Sequence, residues 1–434
     1  MSRVFSPSIV PPKLGSPAAV QAFTSTVAPE DDVSNRTPLL ARLSPNTFAL
    51  TILLGIMTSL GPLSTDLYLP SLPSIARYFN ATSGQAQLTL SAYLVGYAMG
   101  LPLYGPLSDR KGRKTILMAG LALYGVANAL SSVAPSLEVL IVSRLLQGLG
   151  ASGPLVIVRA IVRDLYEGRR AGQELARMGS IMGIVPAIAP VLGVVLEISF
   201  GWRSNFIATS VLALGLAFWA GAKLPETLAQ RLLAPFSVNA VLGGYAGLIT
   251  DRRFLPFGLL AAATYCGLFT FISGSSFIYQ QHFGVSPMGF AIAFVIMVFG
   301  YVAGSYIAQR MALHNEARRM MLTGALLQSG GGLLMLLGVL ALPASPWSIT
   351  LPMVIYSAGV GFSLPQSMAG AMMPFPERAG AVSSLLGMIQ MGFAAIVGTL
   401  VGAYIDRGPI VLAGTIALFG LLALAIQPLM RKPA

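Results

Sequence analysis

The sequence predicts an all-α membrane protein with twelve transmembrane helices, arranged as two six-helix bundles around a central cavity. Only 10% of the 434 residues are charged and 55% are hydrophobic, which leaves too little polar surface to cover a soluble globule of this size. Apolar runs long enough to cross the hydrocarbon core as helices recur after residue 46. The longest polar break, between residues 223 and 253, divides these runs into six on either side.

The apolar runs define the predicted organisation of the chain. They cover residues 47–69, 86–108, 115–134, 137–160, 178–199, 203–222, 254–280, 287–309, 319–341, 347–370, 380–402 and 409–428. The predicted domains are a flexible tail (1–46), a first bundle (47–222), a central loop (223–253), a second bundle (254–428) and a short C-terminus (429–434). No signal peptide is visible, so the first run is expected to serve as the insertion signal.

Composition excludes several classes of function. The single cysteine, Cys266, cannot form an intramolecular disulfide, and two histidines are too few for a Cys/His metal site, so neither metal nor other cofactor is expected. The net charge of +12 comes from short clusters between apolar runs, which indicates membrane topology and not nucleic-acid binding. No phosphate-binding loop of the Gly-x-x-x-x-Gly-Lys-Ser/Thr type is present, so energy is expected from an ion gradient.

Basic residues predict the orientation of the chain. If the N-terminus is cytoplasmic, the inward connections hold Arg110, Lys111, Arg113, Lys114, Arg163, Arg169, Arg170, Arg177, Lys223, Arg231, Arg252, Arg253, Arg310, Arg318, Arg319 and Arg378. The outward connections then hold Arg77, Arg203 and Arg407, while Arg42, Arg431 and Lys432 flank the first and last spans on the inside. Because positive residues accumulate on the cytoplasmic side, both termini are predicted to lie there.

The connection between spans two and three reads Gly105-Pro-Leu-Ser-Asp109-Arg110-Lys-Gly112-Arg113-Lys114. Glycine permits close helix approach, the aspartate can pair with a base or stand at a helix N-terminus, and the basic residues hold the anionic leaflet. The alternative is a simple cytoplasmic hairpin whose basic residues only reflect the positive-inside rule. A weak counterpart, Gly304 to Arg310, follows span eight and indicates duplicated halves.

Two ionisable residues stand inside apolar runs. Asp66 lies near the outer end of span one and Arg144 about two turns into span four, at similar depths in the outer half of the membrane. A charge at such depth costs at least about 2.5 to 3.5 kcal/mol and calls for a partner, water or a function. The alternatives are a helix-end aspartate that reaches headgroup water and an arginine paired to a neighbouring helix for structure alone.

Span five combines small residues at helical spacing with two prolines. Gly183, Pro186, Pro190 and Gly193 are its central members. Small residues allow tight backbone packing and proline bends a helix, so a kinked, closely packed helix is expected.

These features together resemble the major facilitator superfamily, most closely its Bcr/CflA-type drug:proton antiporters, over residues 47 to 428. The loop from Gly105 to Lys114 resembles the superfamily's loop signature, which in that family acts as a conformational latch. Arg144-Leu-Leu-Gln-Gly-Leu-Gly resembles its span-four motif, whose arginine is implicated in proton coupling. Span five resembles its antiporter signature, except that Val194 stands where a second glycine is expected.

Further stretches carry the resemblance to the Bcr/CflA type. They are Ser64 to Pro73, Val162 to Tyr166, Gly201-Trp202-Arg203, Pro225-Glu226-Thr227 and Ala379 to Gly387. The resemblance implies a major facilitator fold with Asp66 as the proton-carrying carboxylate and Arg144 as the charge that biases its protonation. Burial favours a neutral carboxyl and a nearby arginine favours the anion, so a moving arginine would switch it.

The resemblance implies that the protein exports drugs by proton antiport. It also implies a location in a bacterial inner membrane and a monomeric state. The substrate cavity is expected to be lined by Tyr93, Tyr97, Tyr265, Phe269, Tyr279, Tyr356, Gln366 and Gln390. The alternative for the aromatic residues is that they only pack against neighbouring helices or anchor the protein at the membrane interface. The alternative for Gln366 is a hydrogen bond to backbone groups left unpaired at Pro365. The alternatives are a metabolite or amino-acid exporter or symporter of the same fold, and sodium in place of protons. A membrane enzyme or sensor is disfavoured, because the spans hold no catalytic constellation and the tail is too short for a sensor domain.

Overall fold

The computed structural model describes residues 47–232 and 238–430, and all regular secondary structure in these residues is helical. The predicted tail of residues 1–46 lies outside the described residues, as do Arg42, Arg431 and Lys432.

The first half contains six long helices and one short helix. They are α1 (Phe48–Asp66), α2 (Leu72–Tyr78), α3 (Ser83–Lys111), α4 (Arg113–Ser132), α5 (Leu137–Leu165), α6 (Gly168–Phe200) and α7 (Arg203–Lys223). The six long helices match the six predicted spans of this half. Helix α6 begins ten residues before the predicted apolar run, because its first three turns are polar.

The second half repeats this arrangement. It contains α8 (Val238–Ile249), α9 (Leu255–Phe277), α10 (Pro287–Ala312), α11 (Ala317–Ala341), α12 (Trp347–Met372), α13 (Ala379–Tyr404) and α14 (Pro409–Ile426). Helix α9 continues into a π turn over Ile278–His282. Helix α8 lies inside the predicted central connection, and its Tyr245 and Leu248 pack against the start of the second bundle.

Eleven of the helices in the described part are long and apolar enough to cross a membrane. Helix α3 is the one long helix outside this set, although its 29 residues would reach about 43 Å at 1.5 Å per residue. Its apolar character is diluted by polar side chains such as Gln87, Thr89 and Ser91, all of which are buried inside the protein. Polar residues on a spanning helix are tolerated when they face protein and not lipid.

Glycines let α3 and α5 pack backbone against backbone. A Cβ atom built on Gly148 would overlap the carbonyl oxygen of Tyr93, and one built on Gly96 would overlap that of Leu145. The equivalent pair in the second half, α10 and α12, makes the same kind of contact, since Gly304 lies against the backbone of Ala358. This repetition is what duplicated halves would produce.

The two bundles meet along α3 and α13, and we call this surface the bundle interface. Gly84 lies against Gly402 near one end, Ser91 lies beside Gly398 in the middle, and Leu101 contacts Gly387 towards the other end. We call the end where α3 passes into α4 the basic end. At the opposite end, where α3 begins, Gln280 donates a hydrogen bond to the carbonyl oxygen of Pro70 at 2.9 Å.

We expect Gly148→Ala to destabilise the fold. Overpacking of this kind costs about 1 to 3 kcal/mol, because the new methyl group has to push α3 and α5 apart. Thermal unfolding of the detergent-purified protein, followed by fluorescence-detected size-exclusion chromatography, measures the effect. The matched control is Gly414→Ala in α14, where nothing lies within 4 Å of the added atom. Equal unfolding temperatures for the two variants would contradict the close packing described for α3 and α5.

Candidate functional site

Aromatic rings surround the charge of Arg144 inside the first bundle. The side chain is fully buried on α5, and its guanidinium carbon lies 4.5 Å from the ring centre of Tyr93 and 4.6 Å from that of Tyr68. Phe206 of α7 lies on a third side, at 5.9 Å. Ring faces attract a cation most strongly where water is excluded. We call Tyr68, Tyr93 and Phe206 the aromatic cage.

The hydrogen bonds of Arg144 are incomplete. Its Nη1 donates to Oε1 of Gln147 at 2.6 Å and to the carbonyl oxygen of Ser64 at 3.3 Å, whereas Nε and Nη2 have no partner in the described residues. None of the ion pairs among the described residues includes Arg144. The cage therefore holds a positive charge without a neighbouring negative one. Burial of such a charge costs several kcal/mol of folding free energy.

A chain of amides and hydroxyls fixes the orientation of Gln147. Its Nε2 donates to Oδ1 of Asn128 at 2.7 Å, and Thr209 donates to the same oxygen at 2.6 Å. Asn128 in turn donates to the carbonyl oxygen of Tyr124 at 2.8 Å. Since these residues belong to α4, α5 and α7, the network joins three helices behind the arginine.

Asp66, at the end of α1, is buried but not paired with Arg144. Its exposed fraction is 4%, and its Oδ1 accepts a hydrogen bond from Thr65 at 3.0 Å. Arg144 reaches α1 only at the carbonyl of Ser64, because Tyr68 and Tyr93 hold the guanidinium between their rings. The two charges that the sequence places at one depth therefore lie in one bundle without forming an ion pair in this conformation.

Three of the predicted cavity residues gather at the bundle interface near Asp66. Tyr265, from the second bundle, lies close enough to interact with the charge of Asp66 and with Tyr97. Its ring stacks on Phe269 with centroids 6.3 Å apart, and its hydroxyl donates to Sδ of Met391 at 3.6 Å. One carboxylate, several aromatic faces and a thioether thus converge from both bundles.

Other predicted cavity residues take different positions. Tyr93 belongs to the aromatic cage and donates to the carbonyl oxygen of Gly61 at 3.0 Å. Tyr279 shares a hydrogen bond with Thr350 inside the second bundle. Buried polar atoms without a hydrogen-bond partner occur at Tyr356 and Gln390, whereas Gln366 is half-buried.

Arg113 is the centre of the loop between α3 and α4. It forms ion pairs with Asp109 and, at 3.0 Å, with Asp164 at the end of α5, and it donates to Ser108 at 2.7 Å. Gly112 makes the sharp turn between the helices with a φ of 100°, which side chains rarely adopt. Arg110 donates to the carbonyl oxygen of Pro106 at 2.8 Å. Gly105 has no tight neighbour, since an added Cβ would lie 3.8 Å from Val156.

The segment after α7 folds back onto this loop. Glu226 accepts hydrogen bonds from the backbone N–H groups of Arg113 at 2.8 Å and of Lys114 at 3.3 Å. The N–H group of Leu232 donates to the carbonyl oxygen of Asp109 at 2.9 Å. A carboxylate at a helix N-terminus satisfies unpaired donors and the helix dipole, so Glu226 acts as a distant cap for α4.

Of the two glycines predicted to pack closely on α6, only one does so. A Cβ atom on Gly193 would overlap the carbonyl oxygen of Leu67, but nothing lies within 4 Å of one on Gly183. Pro190 is buried and Pro186 half-buried between these positions. The expected close packing therefore occurs at Gly193.

Sequence reasoning missed Arg159 and Asn128. Arg159 lies on α5 and donates from Nη1 to the hydroxyl of Ser383 in the second bundle, at 3.2 Å. A charged residue within an apolar run was the available signal for Arg159, as it was for Arg144. Nothing in the sequence distinguished Asn128 from an ordinary packed amide.

The chain is similar in sequence to known proteins over most of its length. The family model described as Major Facilitator Superfamily matches residues 54–399. The uncharacterized MFS-type transporter YdgK of Bacillus subtilis is 32% identical over 86% of this chain and 95% of its own. Multidrug resistance protein D of Escherichia coli is 28% identical, over 86% of this chain and 93% of its own. The chloramphenicol resistance protein of Pseudomonas aeruginosa is 31% identical, over 83% of this chain and 85% of its own.

A solved structure gives the same fold. The crystal structure of a D-xylose-proton symporter superposes with a TM-score of 0.67 over 87% of this chain and 97% of its own, at 16% identity. At this identity the likeness concerns the fold alone, and it agrees with the two bundles described above.

We expect Asn128→Ala to destabilise the first bundle by about 2 to 3 kcal/mol, because Gln147 and Thr209 lose a buried acceptor together. Thermal unfolding in detergent measures the loss. Asn315→Ala is the control, since Asn315 bonds only to the backbone at the end of α10 and near the surface. An Asn128 variant as stable as the control would show that the network behind Arg144 contributes little to folding.

Proposed function

Because the chain belongs to the major facilitator superfamily, we propose that it exports small drug-like molecules across the membrane in exchange for protons. The observation that carries this proposal is Asp66, a buried carboxylate that forms no ion pair among the described residues and lies within electrostatic range of Tyr265 of the second bundle. A carboxylate in this position meets both substrate and proton where the two bundles separate during alternating access.

The names of relatives support the substrate class. Two of them are named for resistance to chloramphenicol and to multiple drugs, and the alignments with them cover more than four fifths of this chain. The surface around Asp66 suits such compounds, because Tyr97, Tyr265 and Phe269 offer aromatic faces and Met391 a soft, adaptable contact. An organic cation would bind to these faces and to the carboxylate together.

Proton coupling is assigned to Asp66, with Arg144 as its regulator. A carboxylate can exchange a proton against a cationic substrate, because the two positive charges compete for one negative site. Arg144 is held in the aromatic cage in this conformation. Rotation towards Asp66 would favour the ionised carboxylate, and return to the cage would favour its protonation.

The loop between α3 and α4 is assigned the role of a latch. Asp109, Arg113 and Asp164 tie α3, α4 and α5 together, and Glu226 joins the segment after α7 to them. Gly112 supplies the turn that brings these groups into contact, and Arg110 lies on the same surface. Closure of the basic end would depend on this cluster of charges.

Helix α6 is assigned to antiport and not to uptake. Pro186 and Pro190 interrupt its hydrogen-bond ladder, Gly193 holds it against α1 and Gly183 leaves space beside it. Such a helix can bend, so that one half closes the route from the central cavity to one side of the membrane while the other half moves.

We also propose the placement of the chain. The basic end faces the cytoplasm of a bacterial cell, with both termini on that side of the inner membrane and the protein acting as a monomer. The first bundle covers residues 47–222 and the second 254–428, with residues 223–253 as the connection.

We expect Asp66→Asn to abolish proton-driven export, because the amide cannot exchange a proton. Drug-hypersensitive bacterial cells that express the wild type are expected to accumulate less ethidium and less chloramphenicol than cells without the protein. With Asp66→Asn, or after addition of a protonophore, accumulation should rise to the level of cells without the protein.

Asp406→Asn is the matched control, since Asp406 is an exposed aspartate in the connection after α13. An Asp66→Asn protein that still exports either compound in a protonophore-sensitive manner would remove Asp66 from the coupling mechanism. Wild-type protein that exports neither compound would favour a metabolite exporter or symporter of the same fold.

A further inference from the structure

We propose that Arg159, Arg163 and the first turn of α13 bind the carboxylate of a transported molecule, so that the substrates include drug-like compounds that carry a carboxylate as well as an amine. The proposal rests on the export function above and names a substrate class for it. It also assigns a recognition role to two arginines that neither the latch nor the coupling of Asp66 uses.

Arg159 is a cation at the bundle interface without a negative partner. Its side chain is half-buried on α5, and its one hydrogen bond within the described part of the chain goes to the neutral hydroxyl of Ser383 in the second bundle, at 3.2 Å. No ion pair among the described residues includes it. Its remaining guanidinium donors are therefore open to a carboxylate, which arginine binds through two parallel hydrogen bonds.

Arg163 brings a second positive charge to the same place. It lies one helical turn after Arg159, and its Nη2 and Nη1 are 3.8 and 3.9 Å from where a Cβ of Gly380 would lie. The adjacent acid, Asp164, is occupied by Arg113 at 3.0 Å and by Thr227 at 3.1 Å. Like charges one turn apart repel each other unless an anion lies between them.

The second bundle contributes a third positive element. Helix α13 begins at Ala379, and no side chain caps its first N–H groups. Gly380 of this first turn and Ser383 at the start of the second turn are the residues that face the two arginines. Unpaired N–H groups and the helix dipole favour an anion at such an end. Two guanidinium groups and a helix N-terminus thus converge from opposite bundles.

Tyr97 is an electrostatic neighbour of both the anion site and the surface around Asp66. Tyr97 lies within electrostatic range of Arg159 and also of Tyr265, which in turn neighbours Asp66. Arg159 follows Arg144 by 15 residues on one helix, about 22 Å at 1.5 Å per residue, so it is much nearer the basic end. A molecule that enters from the basic end would meet the arginines first and Asp66 afterwards.

Binding to purified full-length protein tests the proposal with a matched pair of probes, norfloxacin and its methyl ester, which share the amine and differ in the carboxylate. We expect the wild type to bind norfloxacin about tenfold more tightly than the ester, as one charge-assisted interaction would provide. Arg159→Gln and Arg163→Gln should each remove most of this preference and leave the affinity for the ester within about twofold. Arg159→Lys should retain part of this preference, because lysine keeps the positive charge but lacks the two parallel N–H donors of the guanidinium group.

Arg169→Gln is the control, as it removes an exposed arginine of α6 outside this site. The proposal is overturned if the wild type binds neither probe or binds both equally, if the Arg159 and Arg163 variants weaken both probes alike, or if the control matches them. Thermal unfolding confirms that each variant is folded. Ethidium export is scored separately, so a failure of drug export with an intact carboxylate preference is distinguishable from a failure of the arginine site.

Discussion

A positive charge enclosed by aromatic rings organises the first bundle. Arg144 forms no ion pair with any described residue, so its buried charge is stabilised by the rings of Tyr68, Tyr93 and Phe206 and by the hydrogen bond to Gln147. The amide and hydroxyl network behind Gln147 then ties α4, α5 and α7 to one another. Because two of the three guanidinium nitrogens have no partner in the described residues, the arrangement is held at a cost, and a change in the position of α1 can redistribute its bonds.

Glycines bring helices into close contact both inside each bundle and at the bundle interface. Inside the bundles, glycines bring helices into backbone contact, as at Gly148 between α3 and α5. Across the interface, the hydrogen bonds that join the halves include the one from Arg159 to Ser383 and the one from Gln280 to Pro70. Gly84 also lies against the backbone of Gly402 at this interface, so packing and hydrogen bonds together join the halves. The rocking motion that the proposed export requires would break these bonds and separate this contact.

Two charges that have no ionic partner among the described residues, Asp66 and Arg159, lie at the bundle interface. Asp66 lies beside Tyr265 of the opposite bundle, and Arg159 lies beside Ser383. The charged groups around Arg113, by contrast, pair with one another at the basic end and join α3, α4, α5 and the segment after α7. The paired charges hold the helices together, whereas the proposed proton coupling and substrate recognition depend on the unpaired Asp66 and Arg159.

The sequence by itself determined the twelve helices and marked Asp66 and Arg144 as unusual, because a helix that crosses lipid must satisfy its own backbone and every charge within it stands out. It could not determine what those charges touch. Arg144 bonds to a carbonyl 80 residues away and Arg159 to a hydroxyl 224 residues away, while Asp66 and Arg144, at one predicted depth, do not pair. Depth follows from position within an apolar run, but contact depends on how each helix is rotated and how closely it approaches its neighbours. Only the packing of the folded bundles decides these quantities, since side chains far apart in the chain compete there for the same space.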